Sequence, residues 1–354
     1  MKAALMSLGS KSSQMTLEAM KKYFDAVDDI NLKRMEVMLG RKEISTLYNG
    51  KPLAKYDCIY AKGSFRYAPL LRSITTAFYN NAYMPIKPNA FTLGHDKLLT
   101  QLALQYYNIP MPDTYVVSSI EAAKKILEQV NYPIIIKFPH GTQGKGVMFA
   151  ESFAAASSML DAIDTLRQPF LIQQYIETEG SDIRAIVIGD KVAASMKRKA
   201  VVGEKRANIH AGGKGEPIVL DEHTKKIAVN TAKSIGAEIC AVDILETVKG
   251  PQVIEANLSP GLQGITSVTK IDVADKIARF LHDKTKEFSE KGKSSETTKL
   301  FADMGVTGPG KEDSEQQIIT NLDFRSERIL LPKIISSITK FSEKEDVVIK
   351  AKKG

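Results

Sequence analysis

Two carboxylates and an amide, Asp243, Glu255 and Asn257, have the types and spacing to hold a divalent cation. They lie in Cys240 to Asn257, two apolar runs around Gly250-Pro251, which predicts an antiparallel strand pair with those two residues in the turn. A symmetric pairing centred near residue 249 sets Asp243 opposite Glu255, and strand alternation puts Asn257 on the face of Glu255. Two facing carboxylates repel unless something compensates them, and magnesium prefers such hard oxygen donors. An exposed hairpin with ordinary charges is the competing reading. The apolar flanks Val242, Ile244, Val253 and Ile254 imply buried strands and favour the metal.

A second group is Lys137, near the end of the run Pro133 to Phe138, followed by the loop His140 to Gly146. Gly141, Gly144 and Gly146 let backbone N–H groups approach phosphate oxygens, while Lys137 adds a point charge. The glycine order is not a dinucleotide fingerprint, and no Ser or Thr follows Gly144-Lys145 as in a Walker loop, so the loop alone reads as a plain hairpin turn. A third group comprises Asp182 and Arg184, then Lys197, Arg198, Lys199, Arg206, Asn208 and His210, closing with Gly212-Gly213. Guanidinium groups suit the charge that develops on a phosphoryl group in transit. A solvated basic hairpin explains the same residues, and both readings stay open on the sequence alone.

The elements that must position these groups follow from periodicity and punctuation. Lys2 to Leu8 predicts a strand and Thr16 to Phe24 a helix, with apolar runs at Met35 to Leu39 and Asp57 to Ala61 and a helix at Pro69 to Tyr79: an alternating α/β unit over residues 1–95. A helix from Asp96 ends at Ile109 to Pro112. Strand Tyr115 to Val117, helix Ile120 to Val130, strands Pro133 to Phe138 and Val147 to Ala150, helix Ser152 to Thr165 and strand Phe170 to Gln174 complete a unit over 96–172. In 173–285 the pattern turns to two-residue alternation, Ile183 to Ile188 and Lys191 to Lys199, joined by the hairpin signal Gly189-Asp190. A helix at Asp221 to Ser234, the Cys240 to Asn257 pair and a helix at Val273 to His282 follow. Residues 283–320 are polar enough to be a linker, and within the extension over 286–354, Ile329 to Phe341 is helix-compatible and Asp346 to Lys353 strand-like.

Composition narrows the class. With 354 residues the chain can bury a large core in two or three units. No window reaches the eighteen or so apolar residues that span a bilayer, and the N-terminus lacks the features of an export signal, so the expected location is the cytoplasm. Cys58 and Cys240 sit far apart in apolar runs, which predicts buried thiols rather than a disulfide or a metal site. The net charge of +8 is spread along the chain, which fits a basic nucleotide cleft better than a nucleic-acid-binding surface.

From Asp96 to about His282 the chain resembles the RimK group of ATP-grasp ligases. The likeness rests on Asp96-Lys97-Leu98, Gly141 to Val147, Gln174-Tyr175-Ile176, Asp182-Ile183-Arg184, Arg206-Ala207-Asn208 with His210 and Gly212-Gly213, Ala241 to Leu245, and Glu255 to Leu262. It implies an α+β ATP-grasp fold, with an N-terminal α/β domain before two subdomains that hold nucleotide between them. Lys97, Lys137, Gly141, Gln143, Gly144 and Gly146 are then expected around the ATP phosphates, Gln174, Tyr175 and Ile176 around adenine, and Asp182 at the ribose. Arg206 and Asn208 would act near the γ-phosphate, Arg184 would orient the carboxylate substrate, and Asp243, Glu255 and Asn257 would bind two Mg2+ ions, with Mn2+ as a substitute. The implied reaction is ATP-dependent amide formation through an acyl phosphate, with L-glutamate or another amino acid as amine donor. The implied acceptor is a carboxylate on a ribosomal protein C-terminus, a coenzyme or an amino-group carrier; homo-oligomers are compatible with the family. The competing reading is a non-catalytic ATP-binding regulatory module of the same fold. The chain departs from the family at Gln174, where an acidic residue is usual, in a hinge-to-Asp182 loop one residue short, and at Tyr60-Ala61-Lys62-Gly63, where bacterial members carry a Pro-Arg-Ile-Gly-like segment.

Overall fold

The computed structural model describes residues 1–40, 44–117, 119–141, 146–166, 168–200, 214–290, 323–325 and 328–330. Met1–Thr297 form one compact unit and Thr298–Gly354 a second.

The first unit opens with β1 (Lys2–Ser7), α1 (Lys11–Met20) and β2 (Ala26–Asn31). Helix α1 begins five residues earlier than the sequence predicts, because the Ser10 hydroxyl accepts from Ser13 N and caps a first turn of serines. Next come β3 (Met35–Leu39), β4 (Ile44–Tyr48), β5 (Lys51–Pro52), β6 (Cys58–Ala61) and α2 (Ala68–Phe78). Strand β1 pairs in parallel with β2 on one side and β6 on the other, while β3, β4 and β5 form a separate antiparallel sheet. A short α3 (Ala90–Leu93) leads to α4 (Lys97–Tyr106), whose N-cap Asp96 accepts from Leu98 N and Leu99 N.

The middle of the chain holds β7 (Thr114–Val116), α5 (Ile120–Leu127), β8 (Ile134–Lys137), β9 (Val147–Ala150), α6 (Phe153–Leu166) and β10 (Leu171–Gln174). Its four strands pair antiparallel in the order β7-β10-β8-β9. Beyond it lie β11 (Ser181–Ile188), β12 (Lys191–Lys199), β13 (Lys214–Pro217), α7 (Glu222–Ser234), β14 (Ile239–Thr247), β15 (Gly250–Asn257), α8 (Gln263–Thr269) and α9 (Val273–Glu290). These strands form an antiparallel sheet in the order β13-β12-β11-β14-β15.

Two expectations are corrected here. Helix α9 runs on to Glu290, so 283–290 are helix rather than linker; it is amphipathic, with Val273, Ile277, Ala278, Leu281 and Thr285 buried. Gly250 and Pro251 are not in the turn: they pair with Thr247 and Glu246, and Val248-Lys249 make the reversal. The predicted linker over 291–320 and the strand-like run at 346–353 lie outside the described residues. In the second unit the described residues are a hairpin of β16 (Asp323–Arg325) and β17 (Arg328–Leu330), so Ile329 and Leu330 are strand, and the rest of the helix-compatible stretch lies outside the described residues.

The apolar core is divided. One cluster joins the N-terminal sheet, through Leu5 and Ile59, and α3, through Phe91, to the five-stranded sheet, through Ile186, Val242 and Val253. A second cluster, confined to Ala123 through Ile172, packs α5 and α6 on the four-stranded sheet. Cys58 and Cys240 are buried and free, as expected, and burial pushes each thiol up to about 12. Among the described residues no helix is long and apolar enough to cross a membrane.

Candidate functional site

The five-stranded sheet carries a row of charge across four adjacent strands. Strand pairing sets Asp182 opposite Arg198, Arg184 opposite Asp243, Asp243 opposite Glu255, and Ala241 opposite Asn257. Because side chains alternate, Arg198, Asp182, Arg184, Asp243, Glu255 and Asn257 all share one face.

Two β-bulges create this alignment. In the β14–β15 hairpin the pairs from Thr247–Gly250 to Ile244–Val253 would continue to Asp243–Ile254; the register shifts instead, and Asp243 meets Glu255. In the β11–β12 hairpin, Val187 pairs with Val192 but Ile186 pairs with Ala194, so Asp182 meets Arg198 rather than Lys197. Each bulge moves the following residues by one position and so exchanges which of them face the row. Lys197 lands on the opposite face, where it pairs with Glu246 at 2.8 Å.

The row is densely paired. Arg184 donates to both oxygens of Asp243, at 2.8 and 2.7 Å, and Arg198 donates to both oxygens of Asp182, each at 2.6 Å. Arg198 also reaches Asp243 Oδ2 at 3.0 Å. Burial alone would raise the Asp243 carboxyl, but the charges of Arg184 and Arg198 overturn this and hold it at about 2. Asp182, buried and facing the charge of Asp243, is pushed up to about 6. Replacing Asp243 by alanine would leave the buried Arg198 and the half-buried Arg184 facing one carboxylate. The expected result is a loss of roughly 3–5 kcal/mol of stability, read as a lower urea midpoint. Asp243→Asn, which keeps one acceptor, should lose less.

A second group of the expected residues comes from the middle of the chain. Lys137, the last residue of β8, donates to Gln173 Oε1 at 2.6 Å, and Gln173 donates onward to Thr114 Oγ1 at 2.8 Å. Burial pulls the Lys137 ammonium down to about 8, against the attraction of the Glu255 carboxylate. Lys97, at the start of α4, donates to the Gly141 carbonyl at 3.1 Å. Gly146 adopts φ of +76°, and a Cβ there would lie 2.9 Å from the Phe138 ring, so only glycine fits this end of the loop. Tyr175 stacks edge-on against Phe149 at 5.0 Å, one residue beyond the exposed Gln174 at the end of β10.

The structure thus brings Lys97, Lys137, Gly141 and Gly146 together in one group, and Asp182, Arg184, Asp243, Glu255 and Asn257 together on one face of the five-stranded sheet. Gln174, Tyr175 and Ile176 follow at the end of β10. Gln143, Gly144, Arg206 and Asn208 lie outside the described residues. Arg198 was legible only as part of a basic run, although it is 4% exposed and grips the buried Asp243 and the half-buried Asp182. Gln173, the buried acceptor of Lys137, was missed; its place one strand over from Lys137 in an apolar run was the available signal.

The oxygen donors suit magnesium. Asp243 Oδ1 accepts one guanidinium N–H and keeps a lone pair, and Asn257 Oδ1 accepts from Ser259 N at 2.9 Å and also keeps one. The set has two carboxylates and one amide, consistent with there being no group of three or more His, Cys, Asp or Glu able to hold a metal among the described residues.

Residues 94–281 match the family model of the RimK-like ATP-grasp domain. The chain is 36% identical over 296 residues to a "Probable alpha-L-glutamate ligase" of Coxiella burnetii (strain Dugway 5J108-111), covering 81% of this chain and 97% of that one. A protein of the same description from Rhodopirellula baltica is 34% identical over 286 residues, covering 79% and 71%. Among solved structures, a RimK domain protein ATP-grasp from Sphaerobacter thermophilus DSM 20745 matches with a TM-score of 0.63 at 20% identity, covering 79% of this chain and 99% of that one. The ATP-grasp ligase PsnB complexed with minimal precursor, Mg, and ADP matches with a TM-score of 0.63 at 18% identity, covering 80% and 97%. At such identities the structural likeness bears on the fold.

Proposed function

The chain belongs to the RimK-like ATP-grasp family of ADP-forming ligases, and we propose that it joins the amine of L-glutamate to a substrate carboxylate through an acyl phosphate. The observation that carries this reading is the pairing of Asp243 with Glu255 on the face shared with Asn257, with Lys137 held within the field of Glu255. The four-stranded and five-stranded sheets are read as the two walls of an ATP cleft. Residues 1–95, 96–172, 173–285 and 286–354 are taken as N-terminal domain, two nucleotide-binding subdomains and extension.

In this proposal Lys97 and Lys137 neutralise the phosphates from one side, and the backbone around Gly141 and Gly146 approaches them closely. Phe149 and Tyr175 form an aromatic wall beside the strand end where adenine is expected. Asp243, Glu255 and Asn257 hold Mg2+, two ions in the family pattern with Mn2+ as a substitute, which when bound neutralises phosphate charge and screens the approach of one anion to another. Arg184 and Arg198 keep Asp243 ionised, so the face is ready to receive cations at neutral pH. The substrate carboxylate attacks the γ-phosphorus, ADP departs, and the glutamate amine then attacks the acyl carbon and expels phosphate. Arg206 and Asn208 are proposed to act near the transferred phosphoryl group. The acceptor is taken to be a protein C-terminus or a small carrier acid, the ATP-grasp ligase PsnB having also been solved with precursor peptide PsnA2 and AMPPNP.

The test is magnesium-dependent ADP release across a matrix of amino acids and carboxylate acceptors, with mass spectrometry on each positive. Release that needs both substrates, with a product heavier by one glutamate residue, is the expected result. Tight ATP binding with no turnover on any acceptor would point instead to a regulatory ATP-binding module.

A further inference from the structure

The N-terminal unit holds a charged group that nothing above uses. Lys62 follows the last residue of β6, is 3% exposed, and its Nζ has no hydrogen-bond partner among the described residues. Nζ lies over the Tyr60 ring, 5.7 Å from its centroid. Burial alone pulls its pKa down, to about 8. A buried ammonium without an anion is costly, and a folded chain that keeps one has a reason beyond stability.

Its place in the fold supplies that reason. Cys58, Tyr60 and Lys62 alternate onto one side of the strand; the Cys58 thiol is hydrogen-bonded with Thr285 of α9, and Tyr60 lies within the field of Cys240 on β14, so this side packs toward α9 and the five-stranded sheet. The next residue, Gly63, accepts at its carbonyl from Ser259 Oγ at 2.9 Å, and Ser259 is two residues beyond Asn257. Lys62 therefore stands at the carboxyl end of a parallel strand, the position where open α/β sheets hold ligands, next to the loop that leaves the metal-binding face. Three and four residues further on, Phe65 and Arg66 line a groove of about 390 Å³ together with Thr92, His95, Asp96 and His140.

We propose that Lys62 is the anchor for a non-reacting carboxylate of a substrate, and so sets a preference for an acidic substrate. This rests on the ligase reading and deepens it. The carboxylate is either that of the incoming amino acid, remote from its amine, or one on the acid being activated; the chemistry at Lys62 is the same for both.

The test uses the full chain with Lys62→Met and Lys62→Arg beside the wild type. One arm compares L-glutamate with L-glutamine at a fixed acid substrate. The other compares peptide acceptors ending in glutamate and in glutamine at fixed L-glutamate. The expected result is a preference of about tenfold or more for the acidic member in one arm, exerted through KM. It should collapse toward unity in Lys62→Met and largely persist in Lys62→Arg, with the KM for ATP unchanged. A third measurement reads binding alone: millimolar L-glutamate or the acidic peptide should raise the wild-type Tm and leave that of Lys62→Met unmoved. This arm gives an answer even where no ADP is released, so failure of the ligase reading is distinguishable from failure of the carboxylate anchor. If Lys62→Met does not fold, the same comparisons are made with Lys62→Gln. Preferences and Tm shifts identical in wild type and variant would overturn the proposal.

Discussion

Glu255→Ala is expected to cut magnesium-dependent ADP release by roughly 10²–10³-fold while leaving the folded structure intact. Of the two carboxylates on the proposed metal-binding face, Asp243 is already shared between two guanidinium groups, whereas Glu255 stands on the edge strand β15. A bound cation contributes several kcal/mol to the stabilisation of phosphoryl charge, and about 1.4 kcal/mol is a factor of ten in rate, so losing about 3–4 kcal/mol gives the stated range. Stability should change by less than about 1 kcal/mol, because removing Glu255 relieves its repulsion with Asp243 while giving up its attraction to Lys137. Steady-state ADP release, with circular dichroism as the check on folding, decides the matter. A variant that turns over at the wild-type rate would remove Glu255 from the metal site.

Lys137→Met should move activity and stability in opposite directions. The ammonium is buried, with Gln173 as its neutral partner, and its pKa lies near 8 in the folded chain against 10.5 for the free side chain. A folded pKa below the unfolded one means that the cost of burying the charge is present in full below about pH 8, declines between 8 and 10.5, and is gone above. Methionine removes that cost, so the ligand-free variant is expected to be more stable than the wild type by roughly 1–3 kcal/mol at pH 7, with the difference vanishing as pH approaches 10.5. ATP affinity should fall by about a hundredfold or more, since a desolvated cation facing phosphate is lost. Urea midpoints at several pH values and a nucleotide titration measure the two effects separately. A variant that is both less stable and unimpaired in ATP binding would make Lys137 a structural residue.

The sequence was most informative where apolar runs had clean limits. Val147–Ala150 and Lys191–Lys199 match their predicted bounds because a glycine or a hairpin signal stands at an end. It was least informative where packing is polar: α1 opens on Lys11-Ser12-Ser13, which reads as loop, yet Ser12 is buried against Gln263 and Leu262 N. Strand β2, Ala-Val-Asp-Asp-Ile-Asn, is an exposed edge of a parallel sheet and shows no alternation to detect.

The pairing of Asp243 with Glu255 was anticipated from a symmetric hairpin centred near 249. The real hairpin is centred half a residue earlier, and the extra residue at Ile254 restores the pairing. The corresponding bulge at Ala193 had no such luck: counting back from Gly189-Asp190 gives Lys197 opposite Asp182, so the buried role of Arg198 could not be reached from the sequence. Local twist selects a bulge, and one-dimensional alternation does not record it.

The division of the apolar core has a consequence for how the molecule comes apart. Ala123 through Ile172 share no buried cluster with the rest, so without ligand this segment can open as its own cooperative unit, at a free energy below that of global unfolding. Nucleotide held between Lys137 on one core and the Glu255 face on the other would stabilise only the state in which both are closed. Its binding energy then adds to the opening free energy of the weaker unit, fusing two thermodynamic domains into one. Bound in that way, the substrate would also be a structural cross-brace, and protection of the middle segment from proteases and hydrogen exchange is expected to follow the nucleotide concentration around it.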